Sequence, residues 1–148
     1  MHDPPIPPIT SFRDATGFAL ELADRYAFVS AAVLLGAGGK PIDIATAEGI
    51  DAGIEPVVAW ASGINGWRDP PLLVLLISVR SVDAEVVREA DLRRYRHARW
   101  SLGSAGCHLV DWIETDGDLV RSYAYLTCPA EAWSADPPGH RMVDGDAP

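Results

Sequence analysis

Leu72 to Ile77 is the longest apolar run in the chain, and Ser78 and Val79 continue it. It is far too short to cross a bilayer, which takes about 20 apolar residues. With a tight connection before it at Trp67 to Pro71, it reads as a buried central strand. The remaining segments have to serve as partner strands for it or as helices that cover it.

Their order can be read from periodicity and punctuation. Residues 1–9 are proline-rich and expected to be extended. Thr10 or Ser11 can cap a helix whose apolar stripe is Phe12, Ala15, Ala19, Leu22 and Tyr26. Tyr26 to Leu35 reads as a strand, Gly36 to Lys40 as a turn, and Ile42 to Thr46 as a second strand. Thr46 to Ile54 is a loop, and Pro56 opens a helix that reaches about Ile64. After the central strand, Glu85 to Leu102 is charged and helical, with Ala90, Leu92, Tyr95, Ala98 and Leu102 on its buried side. Gly103 and Gly106 offer its stop. Two further strands, Cys107 to Glu114 and Leu119 to Thr127, flank Asp116-Gly117, a strong hairpin signal. From Cys128-Pro129 onward the chain is rich in Pro, Gly and Asp, and no internal repeat is present.

The expected fold class is therefore α/β (α+β): one domain over 10–128 between an N-terminal tail, 1–9, and a C-terminal tail, 129–148. It holds a central mixed sheet, about three flanking helices and a C-terminal hairpin. At 148 residues and 48% hydrophobic, the chain has enough apolar material for one core.

A two-residue turn at Asp116-Gly117 sets a testable register. Ile113 would face Val120, Asp111 would face Ser122, and Leu109 would face Ala124. Asp111 and Ser122 would then form a polar couple on an otherwise apolar face, as a buried carboxylate needs a hydrogen-bond partner. On the other face Trp112 would meet Arg121 in a cation–π pair. Cys107 and Cys128 do not face each other in this register, so no disulfide is expected and two buried thiols are.

The element order, and two stretches in particular, resemble JAB/MPN-type domains of the RadC kind. Members of that family carry H-x-H-x(7)-S-x-x-D after the central strand, and the two histidines and the aspartate hold zinc. Anchored on Asp91, the pattern puts Ser78 and Arg80 at the histidine places and Arg88 at the serine place. The RadC-type hairpin resembles D-H-x-(I/V)-x-x-G followed by a serine. Here Asp111-Trp112-Ile113-Glu114-Thr115-Asp116-Gly117 and Ser122 take those places, with Trp112 at the histidine. The resemblance runs over roughly Tyr26 to Leu126, and the helix-hairpin-helix region that often precedes such domains is absent from the sequence.

The resemblance implies a lost metal centre. A catalytic zinc takes about three protein ligands and an open position. Arginine has no lone pair to donate and repels a cation, and serine is a poor neutral ligand. Zinc is not expected, and an Arg80–Asp91 ion pair is expected to fill the place. The family's catalytic glutamate has no clear counterpart, because Glu48 and Glu55 read as surface carboxylates. A replacement metal set from Cys107, His108, Asp91 and Asp111 is disfavoured, because Cys107 and His108 are adjacent on a strand and point to opposite faces.

The other signals are weaker. Gly36-Ala37-Gly38-Gly39-Lys40 lacks phosphate-loop spacing and is followed by Pro41. No G-x-S-x-G elbow supports serine hydrolysis. Arg93, Arg94, Arg96 and Arg99, with Tyr95 and Trp100 among them, form a basic helix face, read first as solvated and second as a partner contact. A net charge of −9 argues against nucleic acid as the partner. Trp67 and Trp133 are candidates for an exposed contact surface. Met1 to Pro5 carries no secretory pattern, so a soluble, cytoplasmic protein is expected, with no membrane partner and an oligomeric state the sequence does not specify.

Three functions compete. The first is a non-catalytic JAB/RadC-like module that binds a protein partner. The second is a divergent hydrolase of the metal-dependent peptidase or isopeptidase kind, with a rearranged site near Asp91, Asp111 and Ser122. The third is a nucleic-acid-associated accessory protein.

Overall fold

The structure, a computed structural model, describes residues 6–51, 53–64, 71–82 and 87–133. A five-stranded mixed sheet runs β2-β1-β3-β4-β5. The strands are β1 (Val29–Leu35), β2 (Pro41–Glu48), β3 (Leu72–Val79), β4 (Cys107–Thr115) and β5 (Val120–Ser122). The helices are α1 (Phe12–Arg25), α2 (Glu55–Ser62), α3 (Glu89–Ser104) and α4 (Tyr123–Thr127). All neighbours are antiparallel except β3 and β4, whose parallel pairing requires a crossover, and α3 lies within that crossover. No helix among the described residues is long and apolar enough to cross a membrane.

The apolar run Leu72–Val79 is the middle strand, and both of its faces are covered. Leu75, Ile77 and Val79 join Val29, Ala31, Val33 and Leu35 of β1 under the α1 residues Phe12, Ala15 and Ala19. Leu72, Val74 and Leu76 join Ala32 and Leu34 under Val57 and Ala61 of α2 and Tyr95, Ala98 and Leu102 of α3. Each fully buried aliphatic or aromatic side chain contributes about 1.5–3 kcal/mol to this packing.

α1 begins as its sequence predicts. Ser11 Oγ accepts from Asp14 N at 3.1 Å, while Asp14 Oδ2 accepts from Thr10 N at 3.0 Å. That exchange resembles a capping box, and the Thr10 backbone donor holds the Asp14 carboxyl below its ordinary value. The tails are partly integrated. Ile9 is buried, and its N–H donates to Gly39 O at 2.8 Å; a Cβ on Gly39 would lie 2.3 Å from Ile9 O, so the close approach requires glycine. Within 129–133, Ala132 is buried and Trp133 is half-buried rather than exposed. Trp67 lies outside the described residues. Cys107 is a buried free thiol as expected, but Cys128 is free and exposed.

The hairpin departs from its predicted register. Ile113 pairs with Ser122, Glu114 with Arg121, and Thr115 with Val120. The loop is 116–119 because Asp116 Oδ1 accepts from the backbone N–H of both Asp118 and Leu119 at 2.9 Å. The aspartate captures donors that a two-residue turn would have placed in the ladder. The last strand is also short. Ser122 Oγ accepts from Tyr125 N at 3.2 Å and caps α4, so residues 123–127 are helical rather than extended.

β4 carries a bulge as well. Val74 pairs with Leu109 but Leu75 pairs with Asp111, leaving Val110 as an extra residue. Strict alternation stops there. Leu109 and Trp112 face α3, whereas Ile113 faces α1.

α3 also differs from its expected burial. Asp91, not Ala90, takes the buried place near its start, and Ala90 is exposed. Residues 83–86, including Glu85 from the predicted start, lie outside the described residues. Arg88 is the N-cap, is exposed, and makes no side-chain cap bond. A cation there also opposes the helix dipole. Arg88→Ser is therefore expected to stabilise the protein by about 1 kcal/mol. Urea denaturation, with a raised midpoint and unchanged slope, is the measurement; a lowered midpoint would show that Arg88 has a role the cap geometry does not reveal.

Candidate functional site

The end of β3 and β4 on the α3 face holds a chain of alternating charges. Arg80 follows β3 directly, and its N–H donates to Thr115 O at 3.0 Å, extending the β3–β4 pairing by one residue. Its guanidinium donates through Nε and a terminal nitrogen to Glu114 Oε2. The same terminal nitrogen lies 3.2 Å from Asp91 Oδ1. Arg121 donates to Glu114 Oε1 at 3.2 Å from the deep side. On the outer side Arg94 donates to Asp91 Oδ1 at 2.9 Å and lies 3.1 Å from Glu55. The chain runs Arg121, Glu114, Arg80, Asp91, Arg94, Glu55, from buried to exposed.

Aromatic rings form one wall. The Arg80 guanidinium lies 5.5 Å from the centre of the Trp112 ring. Trp112 stacks on Tyr123 at 4.2 Å, and Tyr123 on Tyr95 at 5.8 Å. Trp112 Nε1 donates to Ser78 Oγ at 2.9 Å, and Tyr123 Oη donates to Glu114 Oε1 at 3.3 Å. The cation on Trp112 is therefore Arg80, not the expected Arg121, because the actual register gives Arg121 to Glu114.

The electrostatics follow from this packing. Burial pushes the Glu114 carboxyl above its ordinary range, while Arg80 and Arg121 pull it back. Burial works against the charge of Arg80, but Glu114 and then Asp91 outweigh it and hold the guanidinium above its ordinary value. The Tyr123 phenol is pushed up by burial and by the charges of Glu114 and Asp91, and the Tyr95 phenol, chiefly by burial, to about 12. Arg80 keeps its proton and the phenols keep theirs, so none of the three supplies a base at neutral pH.

Of the residues expected at the site, Ser78, Arg80 and Asp91 converge on this corner. Arg88 does not, being exposed at the helix start. Asp111 and Ser122 are hydrogen-bonded, Ser122 Oγ donating to Asp111 Oδ2 at 2.6 Å. They lie with Ile113 on the α1 face, across the sheet from Arg80, because of the bulge and the hairpin register. Asp111 also accepts from Trp133 Nε1 at 2.8 Å, Ala124 N at 2.9 Å and Trp112 N at 2.7 Å. Burial pushes its carboxyl up to about 6 against those four donors. Both Asp111 and Ser122 are 0% exposed, and Asp91, expected beside them, lies on the other face of the sheet.

The basic face of α3 is divided. Arg94 belongs to the charge chain, Arg96 lies 3.7 Å from Glu89, and Arg99 lies 5.9 Å from the Tyr95 ring. Arg93 faces a groove between α2 and α3.

The residues at the corner do not fit zinc. The places the resemblance assigns to histidines carry a guanidinium and a hydroxyl that already accepts from Trp112. Among the described residues no three His, Cys, Asp or Glu side chains cluster as a ligand set. A small polar cleft of about 200 Å³, bordered by Ser30, Asp51, Ser78, Arg80 and Arg94, opens beside them. Comparison with known proteins adds no identity: no family model, curated protein or solved structure matches the chain.

Sequence reasoning missed Glu114 and Tyr123, and it gave Arg121 to Trp112 rather than to Glu114. One signal was present: Glu114 stands where the RadC-type hairpin motif has Ile or Val. A carboxylate at an aliphatic place, with an arginine at a metal place, marks a charge pair.

Glu114→Gln is expected to cost about 3 kcal/mol or more, because it leaves Arg80 and Arg121 without their shared counter-charge. Chemical denaturation measures it; a loss below about 1 kcal/mol would assign the pair to a weak surface class. Asp111 carries a pH signature. Its folded value lies above the ordinary 3.8, so the folded state holds a proton that the unfolded chain releases. Stability from this group is full below 3.8 and is lost as pH rises through about 6. Denaturation midpoints from pH 4 to 7 should fall more for the native chain than for Asp111→Asn, and parallel profiles would refute the assignment.

Proposed function

We propose that the chain is a non-catalytic JAB/MPN-like module of the RadC kind that works by binding a protein partner. The observation that carries this reading is the Arg80 guanidinium set between Glu114 and Asp91, at the end of the central strand. In the family the resemblance points to, that corner supplies zinc. In this chain it supplies an internal ion pair backed by Trp112. The mixed sheet with helices on both faces agrees with the expected architecture in kind, and fold alone identifies no partner.

The same geometry explains why chemistry is not assigned to the corner. The Ser78 hydroxyl accepts from the indole N–H of Trp112, and Glu114, opposite it on β4, is engaged by Arg80 and Arg121. Asp91 is shared by Arg80 and Arg94. The corner is charge-balanced, three guanidiniums alternating with three carboxylates.

Metal analysis tests this directly. The native chain should carry no stoichiometric zinc after purification and dialysis against zinc. The double variant Ser78→His, Arg80→His should acquire about one equivalent, since it joins two imidazoles to Asp91. Stoichiometric zinc in the native chain would overturn the non-catalytic reading, and a double variant that folds but takes no zinc would overturn the positional match with the family.

A further inference from the structure

Of the α3 arginines, Arg94 belongs to the charge chain, Arg96 lies near Glu89 and Arg99 stands over the Tyr95 ring, while Arg93 faces a groove. Ala90, Arg93, Arg94, His97, Ala98 and Ser101 recur at helical spacing and form one wall of a groove against α2. Its volume is about 380 Å³, within the range of sites that hold several side chains or a small ligand. Ile54 and Val58 line the other wall at its base, and Ala59 is exposed beside them. The base is apolar, and the rim carries Arg93, Arg94 and His97 with one carboxylate, Glu55, which Arg94 holds. Among the described residues no carboxylate pairs with Arg93, whereas Arg94 is held by Asp91 and Glu55. Trp100, 70% exposed, lies beside His97 with ring centres 6.1 Å apart. A large exposed indole next to an apolar groove is the composition of a contact surface.

We propose that the groove between α2 and α3 docks an acidic peptide segment of a partner protein. One or two apolar side chains of that segment enter between Val58 and Ala98, and its carboxylates meet Arg93 and His97. Charge complementarity selects the occupant. The chain as a whole carries −9, so a cationic rim is a local exception and attracts an anionic ligand to that place. An apolar base favours a peptide over nucleic acid, whose phosphates would gain nothing from Ile54 and Val58. The proposal rests on the binding-module reading and names the partner's chemistry. It does not depend on the state of the Arg80 corner, so the zinc experiment and the one below fail separately.

The test uses the full chain and a phage-displayed library of short random peptides. Arg93→Glu reverses the rim and Ala59→Trp fills the groove, both at exposed helix positions where the fold is expected to survive, as circular dichroism would verify. Selected peptides should combine Asp or Glu with an aliphatic or aromatic residue. Fluorescence polarisation should show weaker binding by about tenfold or more to each variant, and weaker binding as salt rises. The proposal is overturned if selection yields no peptide, if the selected peptides are neutral or basic, or if they bind both variants as well as the native chain. It is also overturned if an oligothymidylate displaces them at equal concentration. Self-association in sedimentation that Ala59→Trp abolishes would give the groove to a second copy instead.

Discussion

Glu114 is the residue on which the α3 half of the molecule depends. A carboxylate 2% exposed inside an α/β core is stable only if its charge is matched on both oxygens. Arg121 meets one oxygen and Arg80 the other, and each demand passes outward. Arg80, partly desolvated, takes Asp91 as a second partner, and Asp91 takes Arg94, which reaches Glu55 at the surface. This couples β3, β4, β5, α3 and α2 through a single line of charges. The position of α3 over the sheet, and so the groove it makes with α2, follows from an interaction buried beneath Trp112 and Tyr123.

The aromatic stack explains how the sheet tolerates this arrangement. Trp112 presents a ring face to Arg80 and an N–H to Ser78, so one side chain packs against a cation and satisfies a buried hydroxyl. Tyr123 does the same one layer further in, stacking on Trp112 while its hydroxyl adds a donor to Glu114. A phenylalanine at either place would keep much of the packing and lose a polar partner. The polar corner is thus enclosed by rings that carry donors at their edges.

Much of this was legible from the sequence. Leu72–Val79 sits where its apolar run predicted, since a buried run of that length has few other solutions. The Ser11–Asp14 cap, the helix around Pro56 and the order of strands also follow from local chemistry. What failed depended on events that alternation alone does not encode. Asp116 was read with Gly117 as a two-residue turn, but its carboxylate also binds two backbone donors, and the longer loop shifted every pair in the hairpin. Ser122 was read as a strand residue beside Asp111; it contacts Asp111 as expected but also caps a helix. Ala90 was read as buried because it is apolar, whereas Asp91 is buried because Arg80 and Arg94 neutralise it. Charge pairs that bridge distant segments leave little trace in local periodicity.

The extra residue Val110 has an electrical consequence. By shifting the phase of β4 it turns Asp111 away from the α3 face, where Leu109 lies, to the α1 face, and ordinary alternation from there puts Glu114 on the α3 face. Asp111 answers to Ser122, Trp133 and backbone donors, while Glu114 answers to Arg80, Arg121 and Asp91. The sheet lies between the two carboxylates, although the charge of Asp111 still reaches the Tyr95 phenol on the α3 side. One small sheet thus buries two carboxylates on opposite faces, one held by neutral donors and the other by guanidiniums.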